Sequence, residues 1–158
     1  MSSGAVRCRL RVSDVIDAQY QSLFSFQEFN DMQSIILPQA LGSDCNMVVA
    51  APTGTGKTIV HELAILRLII DHCIDKKATK TVYIAPNKAL CQQKMQEWYR
   101  KFSPLNLTVL EVTGDTDLKQ SLRLIAMASI IITTPEKWDS LTRWTFVYIP
   151  IPTDLHSV

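Results

Sequence analysis

The chain has 158 residues, the length of one ordinary domain. Apolar residues make up 47% and charged residues 20%, a globular composition that excludes a disordered chain. Sixteen Lys and Arg against fifteen Asp and Glu leave a net charge of +1, so bulk charge neither demands nor excludes nucleic acid.

The N-terminal residues show no clear period, and residues 1–23 are read as a partly ordered lead-in. Arg7, Arg9 and Arg11 interrupt every apolar run there, so no signal-peptide core is expected, although Arg-rich, acid-poor starts also occur in transit peptides. From Asn30 a helix begins. Asn30 can cap it, Gln33 stands at the reciprocal capping-box position, Ile36, Leu37, Ala40 and Leu41 follow at helical spacing, and Gly42 ends it. Met47 to Ala51 reads as a buried strand and Pro52 to Gly56 as a tight loop, with Ile59, Leu63, Leu66 and Ile70 marking the next helix. Thr81 to Ala85 is a second strand. Pro86 opens a helix carrying Leu90, Met95, Trp98 and Phe102. Leu107 to Val112 is a third strand, broken by Gly114-Asp115. Leu118, Leu122 and Ile125 mark a helix, Ser129 to Thr133 a fourth strand, and Pro135 a short helix through Leu141. Alternating strands and helices predict βαβ units around a parallel sheet, with continuously apolar strands covered on both faces. No stretch reaches the roughly 18 apolar residues of a membrane span, so no membrane partner is expected. Cys8, Cys45, Cys73 and Cys91 form no C-x-x-C pair, and His61, His72 and His156 form no H-x3–5-H set, which favours reduced, buried thiols over zinc.

The strongest chemical signal is Ala51-Pro52-Thr53-Gly54-Thr55-Gly56-Lys57-Thr58. It fits G-x-x-x-x-G-K-[ST] with alanine for the first glycine, between a predicted strand and a predicted helix. Gly54 and Gly56 let the backbone curl so that N–H groups point inward, and the helix that follows adds its positive end. Lys57 is placed against the β- and γ-phosphates, and the Thr58 hydroxyl is offered to magnesium. A guanine-specific N-K-x-D element is absent, because Asn87-Lys88-Ala89-Leu90 lacks the final aspartate. Residues 76–101 hold seven Lys and Arg and one Glu, a local excess of +6, in which Lys76, Lys77 and Lys80 also suit a solvated turn. Trp98 reads as core, and Trp138 as core or surface.

Five stretches together carry a resemblance over about residues 24–143. Phe29-Asn30-Asp31-Met32-Gln33 resembles the Q motif of superfamily-two helicases, and residues 51–58 their motif I. Ala85-Pro86-Asn87-Lys88-Ala89-Leu90 resembles motif Ia, Val112-Thr113-Gly114-Asp115 the T-G element, and Thr133-Thr134-Pro135-Glu136-Lys137-Trp138-Asp139 motif Ib. The A-P-x-K-A-L and T-T-P-E-K-W-D forms resemble the Ski-like DExH branch, and within it the meiotic crossover DNA helicases. The resemblance implies an α/β, P-loop NTPase (RecA-like) three-layer domain, incomplete here, with ATP and magnesium as cofactors. It also implies 3′-to-5′ translocation on single-stranded or branched DNA, and a nuclear role in meiotic recombination. It implies a nucleotide site of Gln33, Pro52, Thr53, Gly54, Thr55, Gly56, Lys57 and Thr58, with Thr58 on magnesium. Gln33 would contact adenine as well as cap its helix, and Phe26 or Phe29 would stack on the base or pack in the core. Pro86, Asn87, Lys88, Thr113, Gly114, Thr134 and Pro135 would line a single-strand track, with Lys88 the main phosphate contact.

Such a motor also needs a D-E-x-H box, and the chain contains none. Asp115 belongs to the T-G element. Asp154 precedes His156, but Thr153 stands where the metal-binding aspartate belongs, and Pro150 and Pro152 disqualify the preceding run as a central strand. No catalytic set is complete. The expected organisation is a lead-in (1–23), a truncated ATP-binding domain (24–143) and a divergent tail (144–158), too short for a second motor domain. Hydrolysis is expected to be deficient. The alternatives are a non-enzymatic single-strand-binding decoy, or an unstable fragment with an exposed sheet edge.

Overall fold

The computed structural model describes residues 9–71, 80–114 and 118–145. The chain divides into two compact units, one ending at Ile74 and the other beginning at Asp75. The expected tail beyond residue 145, together with Cys8, His72, Cys73, Lys76, Lys77, Asp115, Asp154 and His156, lies outside the described residues.

The first unit is helical. Its lead-in carries α1 (Val12–Val15) and a 3-10 segment (Ala18–Leu23). Both are too short to hold themselves and rest on tertiary bonds. The Val12 N–H donates to the Gln27 carbonyl at 2.9 Å and the Phe29 N–H to that of Leu10 at 2.9 Å. Val12, Ile16, Leu23, Phe24 and Phe29 are buried, and the rings of Phe24, Phe26 and Phe29 lie 5.2–5.6 Å apart. Next comes α2 (Asp31–Gly42), with both halves of the expected capping box formed. It packs on α3 (Thr58–Asp71), whose buried face holds Val60, Leu63, Ile65, Leu66 and Ile69 with Glu62 among them. Arg67 ties the stretch after α2 to α3. It bonds the Ser43 carbonyl, Asp44 at 2.5 Å and Asp71 at 3.2 Å.

One predicted element is corrected. Met47 to Ala51 pairs with no strand among the described residues, and Val48 is 96% exposed. An apolar run becomes a strand only where a neighbour completes its hydrogen-bond ladder, and none of the described residues does so for this one.

The second unit is a parallel sheet. Strands β1 (Thr81–Ile84), β2 (Val109–Val112) and β3 (Ile130–Thr133) lie in the order β1-β3-β2. Val82 and Leu110 both register with Ile131. Side chains alternate along each strand, so these three share a face. That face packs with Ile125 of α5 (Leu118–Met127) and with Leu141 and Trp138 of α6 (Pro135–Thr145). The opposite face meets α4 (Lys88–Phe102). There Trp98, fully buried, stacks edge-on with Tyr83 at 4.9 Å and Phe102 at 6.0 Å. Helices therefore cover both faces, as the fully buried β3 requires. Helix α4 starts at Lys88 rather than Pro86, because Asn87 takes the cap and its side chain accepts from the Leu90 N–H. Leu90 is consequently exposed, and Cys91 takes the buried position beside it. Helix α6 runs on to Thr145, past the expected end at Leu141.

Candidate nucleotide site and nucleic-acid interface

The phosphate-loop motif forms a curled loop opening directly into α3. Gly54 and Gly56 both adopt left-handed backbone, with φ of 85° and 78°. The Pro52 carbonyl gathers the Thr55 hydroxyl at 2.8 Å and the Lys57 ammonium at 2.8 Å. Lys57 also donates to the Ala51 carbonyl at 2.6 Å, so its ammonium is folded back over the loop. Pro52, Thr53 and Gly54 are exposed at the tip, while Thr55, Gly56, Lys57 and Thr58 are half-buried. Thr58 is the first residue of α3, where the helix presents its positive end.

The start of α2 braces this loop. The Gln33 side-chain oxygen accepts from the Asn30 N–H at 3.0 Å, and its amide donates to the Gly56 carbonyl at 3.3 Å. Asn30 donates to the Thr55 carbonyl at 2.9 Å. A Cβ on Gly56 would lie 2.5 Å from the Gln33 amide nitrogen and would push that side chain aside, on a left-handed backbone that already favours glycine. Gln33 is therefore buried and engaged with the loop as well as capping its helix. Of the two stacking candidates, Phe29 is fully buried in the aromatic cluster. Phe26 is half-buried and lines an open cleft of about 460 Å³ with Arg11, Gln21 and Glu28.

In the second unit the parallel strands bring three motifs to one edge. Pro86, Asn87 and Lys88 follow β1, Thr113 and Gly114 follow β2, and Thr134 and Pro135 follow β3, all at the carboxyl ends. Open α/β sheets present ligand loops there, and helices α4 and α6 begin there with their N–H groups outward. The Lys88 Cε and Nζ lie 3.6 Å from where a Cβ on Gly114 would stand, so the lysine passes over that glycine. The buried Thr133 hydroxyl donates to the Val112 carbonyl at 2.7 Å, tying β3 to β2 at this edge. Thr134 is buried at the start of α6, where its hydroxyl accepts from the Lys137 N–H at 3.5 Å.

Lys80 has a different role from a solvated turn. Its ammonium donates to the carbonyls of Ile125, Ala126 and Ala128 at 2.7, 2.8 and 3.0 Å, closing the C-terminal end of α5. Burial pulls its pKa below the usual lysine value. Lys94 is paired with Glu97, so the basic segment is in part structural. Cys91 is fully buried, and burial, then the Glu111 carboxylate, push its thiol pKa up. Cys45 is exposed. Among the described residues no group of three His, Cys, Asp or Glu is placed to hold a metal, and no helix is long and apolar enough to cross a membrane. Asn30 and Lys80 are the positions that sequence reasoning underrated. Each acts on a carbonyl far away in the chain, which no local spacing reveals.

Comparison with known proteins agrees with this arrangement. Residues 30–150 match the DEAD/DEAH box helicase family. The chain is 45% identical over 141 residues to the ATP-dependent DNA helicase homolog MER3 of Arabidopsis thaliana, covering 84% of this chain and 12% of that protein. It is 47% identical over 135 residues to the probable ATP-dependent DNA helicase HFM1 of Homo sapiens, covering 85% of this chain and 9% of that protein. The chain thus spans about a tenth of the length of these relatives. The DUF1998 helicase MrfA bound to DNA shares the fold, with a TM-score of 0.68 at 21% identity over 85% of this chain and 19% of that one.

Proposed function

The chain belongs to the DEAD/DEAH box helicase family, and on that premise we propose that it is the ATP-binding and single-strand-binding part of an ATP-dependent 3′-to-5′ DNA helicase. The observation that carries this reading is the phosphate loop, two left-handed glycines leading into the N-terminus of α3 with Lys57 folded over loop carbonyls. The residues fit a nucleoside triphosphate. An anionic phosphate offers the Lys57 ammonium a stronger partner than two neutral carbonyls do, and the end of α3 favours the same charge. Thr58 would hold magnesium, which supplies neutralisation of the β- and γ-phosphate charge. Gln33 and the half-buried Phe26 would face the adenine. Pro86, Asn87, Lys88, Thr113, Gly114, Thr134 and Pro135 would track the strand by its backbone, with Lys88 and the N-termini of α4 and α6 holding phosphates.

The relatives named as DNA helicases support DNA as the strand. The resemblance extends that to meiotic recombination in the nucleus. The 158 residues hold no D-E-x-H box. The chain by itself is therefore expected to bind ATP with little turnover. Titration of a fluorescent ADP analogue with magnesium, competed by ATP, tests the reading. Saturable binding that is displaced by ATP and lost in Lys57→Ala is expected. Equal binding by parent and variant would overturn it.

A further inference from the structure

The geometry points to Asn30 as a positioning residue for the phosphate loop: it aims the loop's amide N–H groups through the Thr55 carbonyl, in addition to capping α2. This rests on the nucleotide-site reading and adds to it a residue outside the loop.

The side chain of Asn30 does two separable things. Its oxygen accepts from the Gln33 N–H at 2.9 Å, which is the helix cap. Its amide nitrogen donates to the Thr55 carbonyl at 2.9 Å, a bond between residues 25 positions apart. None of the described peptide bonds is cis. In a trans peptide the carbonyl and the next N–H point in opposite directions. Holding the Thr55 carbonyl toward Asn30 therefore turns the Gly56 N–H to the other side. Gln33 does the same one residue on: its donation to the Gly56 carbonyl, shared with the Ile59 N–H at 3.0 Å, turns the Lys57 N–H away from α3. Two consecutive N–H groups thus face outward together, the concave arrangement that receives an anion. Left-handed Gly56 lies between them, and a Cβ there would push the Gln33 amide out of its bond to the loop. Preorganised donors need not reorient when the anion arrives, so losing the brace should weaken phosphate binding while leaving the fold.

Two substitutions separate the cap from the brace. Asn30→Ser keeps a capping oxygen but is too short to reach the Thr55 carbonyl. Asn30→Asp is isosteric and a good cap but presents an oxygen in place of the donor. Both are expected to melt within a few degrees of the parent without nucleotide. Both should bind magnesium-ADP roughly threefold to tenfold more weakly, the worth of about one hydrogen bond. In the parent chain, the Gly56 and Lys57 amide resonances should shift most on adding magnesium-ADP, which tests the geometry without a substitution. Unchanged affinity in the variant that melts like the parent, or parent spectra in which those two amides do not move on saturation, would overturn the role of Asn30. A parent that binds no nucleotide would instead overturn the nucleotide-site reading itself.

Discussion

Gly54 and Gly56 share a left-handed backbone, yet their surroundings differ. A Cβ at Gly54 meets nothing within 4 Å, whereas one at Gly56 meets the Gln33 amide at 2.5 Å. Gly54→Ala should therefore cost only the backbone term, about 1 kcal/mol, and Gly56→Ala clearly more, about 2–3 kcal/mol. Urea denaturation of the two variants measures the difference, and equal losses would mean that Gln33 does not crowd the loop. Cys91 offers a second test at this scale. Its thiol pKa is raised in the folded chain, so its contribution is fully present below the ordinary value of 9.0 and is lost as pH rises past it. The stability difference between the parent and Cys91→Ala should hold steady below about pH 9 and narrow as the pH is raised above it. In the native chain, alkylation followed by peptide mapping should modify the exposed Cys45 and spare Cys91. At the residue scale the phosphate loop was legible because its chemistry lies within eight consecutive positions. The second contacts of Asn30 and Gln33 were not legible, since a capping pattern says nothing about what the remaining amide protons meet.

Caps and edges decide which elements form. Lys80 closes α5 with hydrogen bonds to two of its last carbonyls, those of Ile125 and Ala126, and to that of Ala128 just beyond it. Lys80→Met should lower stability by about 1–2 kcal/mol, read as a drop of several degrees in melting temperature. A variant that melts like the parent would show that solvent serves those carbonyls equally well. Met47 to Ala51 is apolar, pairs with no strand among the described residues and is exposed at Val48, the composition of a segment that seeks a strand. Val48→Lys is expected to leave stability within about 0.5 kcal/mol and to reduce light scattering at high concentration. Unchanged scattering would place the aggregation-prone surface elsewhere. The three strands that formed were legible as β-branched runs bounded by Pro and Gly. The run at 47–51 is likewise short and apolar, but pairing is a property of the neighbour and cannot be read from the run itself. The short α1 and 3-10 segments were invisible for the converse reason: burial of Val12, Ile16 and Leu23 holds them rather than any helical period.

Across the chain, the candidate residues fall in both units, with the phosphate-loop motif in the first and the residues after β1, β2 and β3 that resemble motif Ia, the T-G element and motif Ib in the second. The parallel order was legible because alternating strands and helices allow few other arrangements, and parallel strands necessarily bring their following loops to one edge. Single-stranded DNA should bind that edge through its backbone. Affinity is expected to fall with salt, and Lys88→Ala should weaken binding alike for all sequences and reduce the salt slope by about 0.7. A sequence-dependent loss would mean that Lys88 reads bases. A folded chain with a working nucleotide site should reveal itself in one thermal melt with and without magnesium-ATP, with Lys57→Ala alongside. At about 100-fold excess over the dissociation constant, binding adds roughly 2.7 kcal/mol, a rise of several degrees. A cooperative transition that rises in the parent and stays put in Lys57→Ala is the expected result. A parent that melts at the same temperature with and without nucleotide, or that shows no cooperative transition, would mean that this chain has no such site.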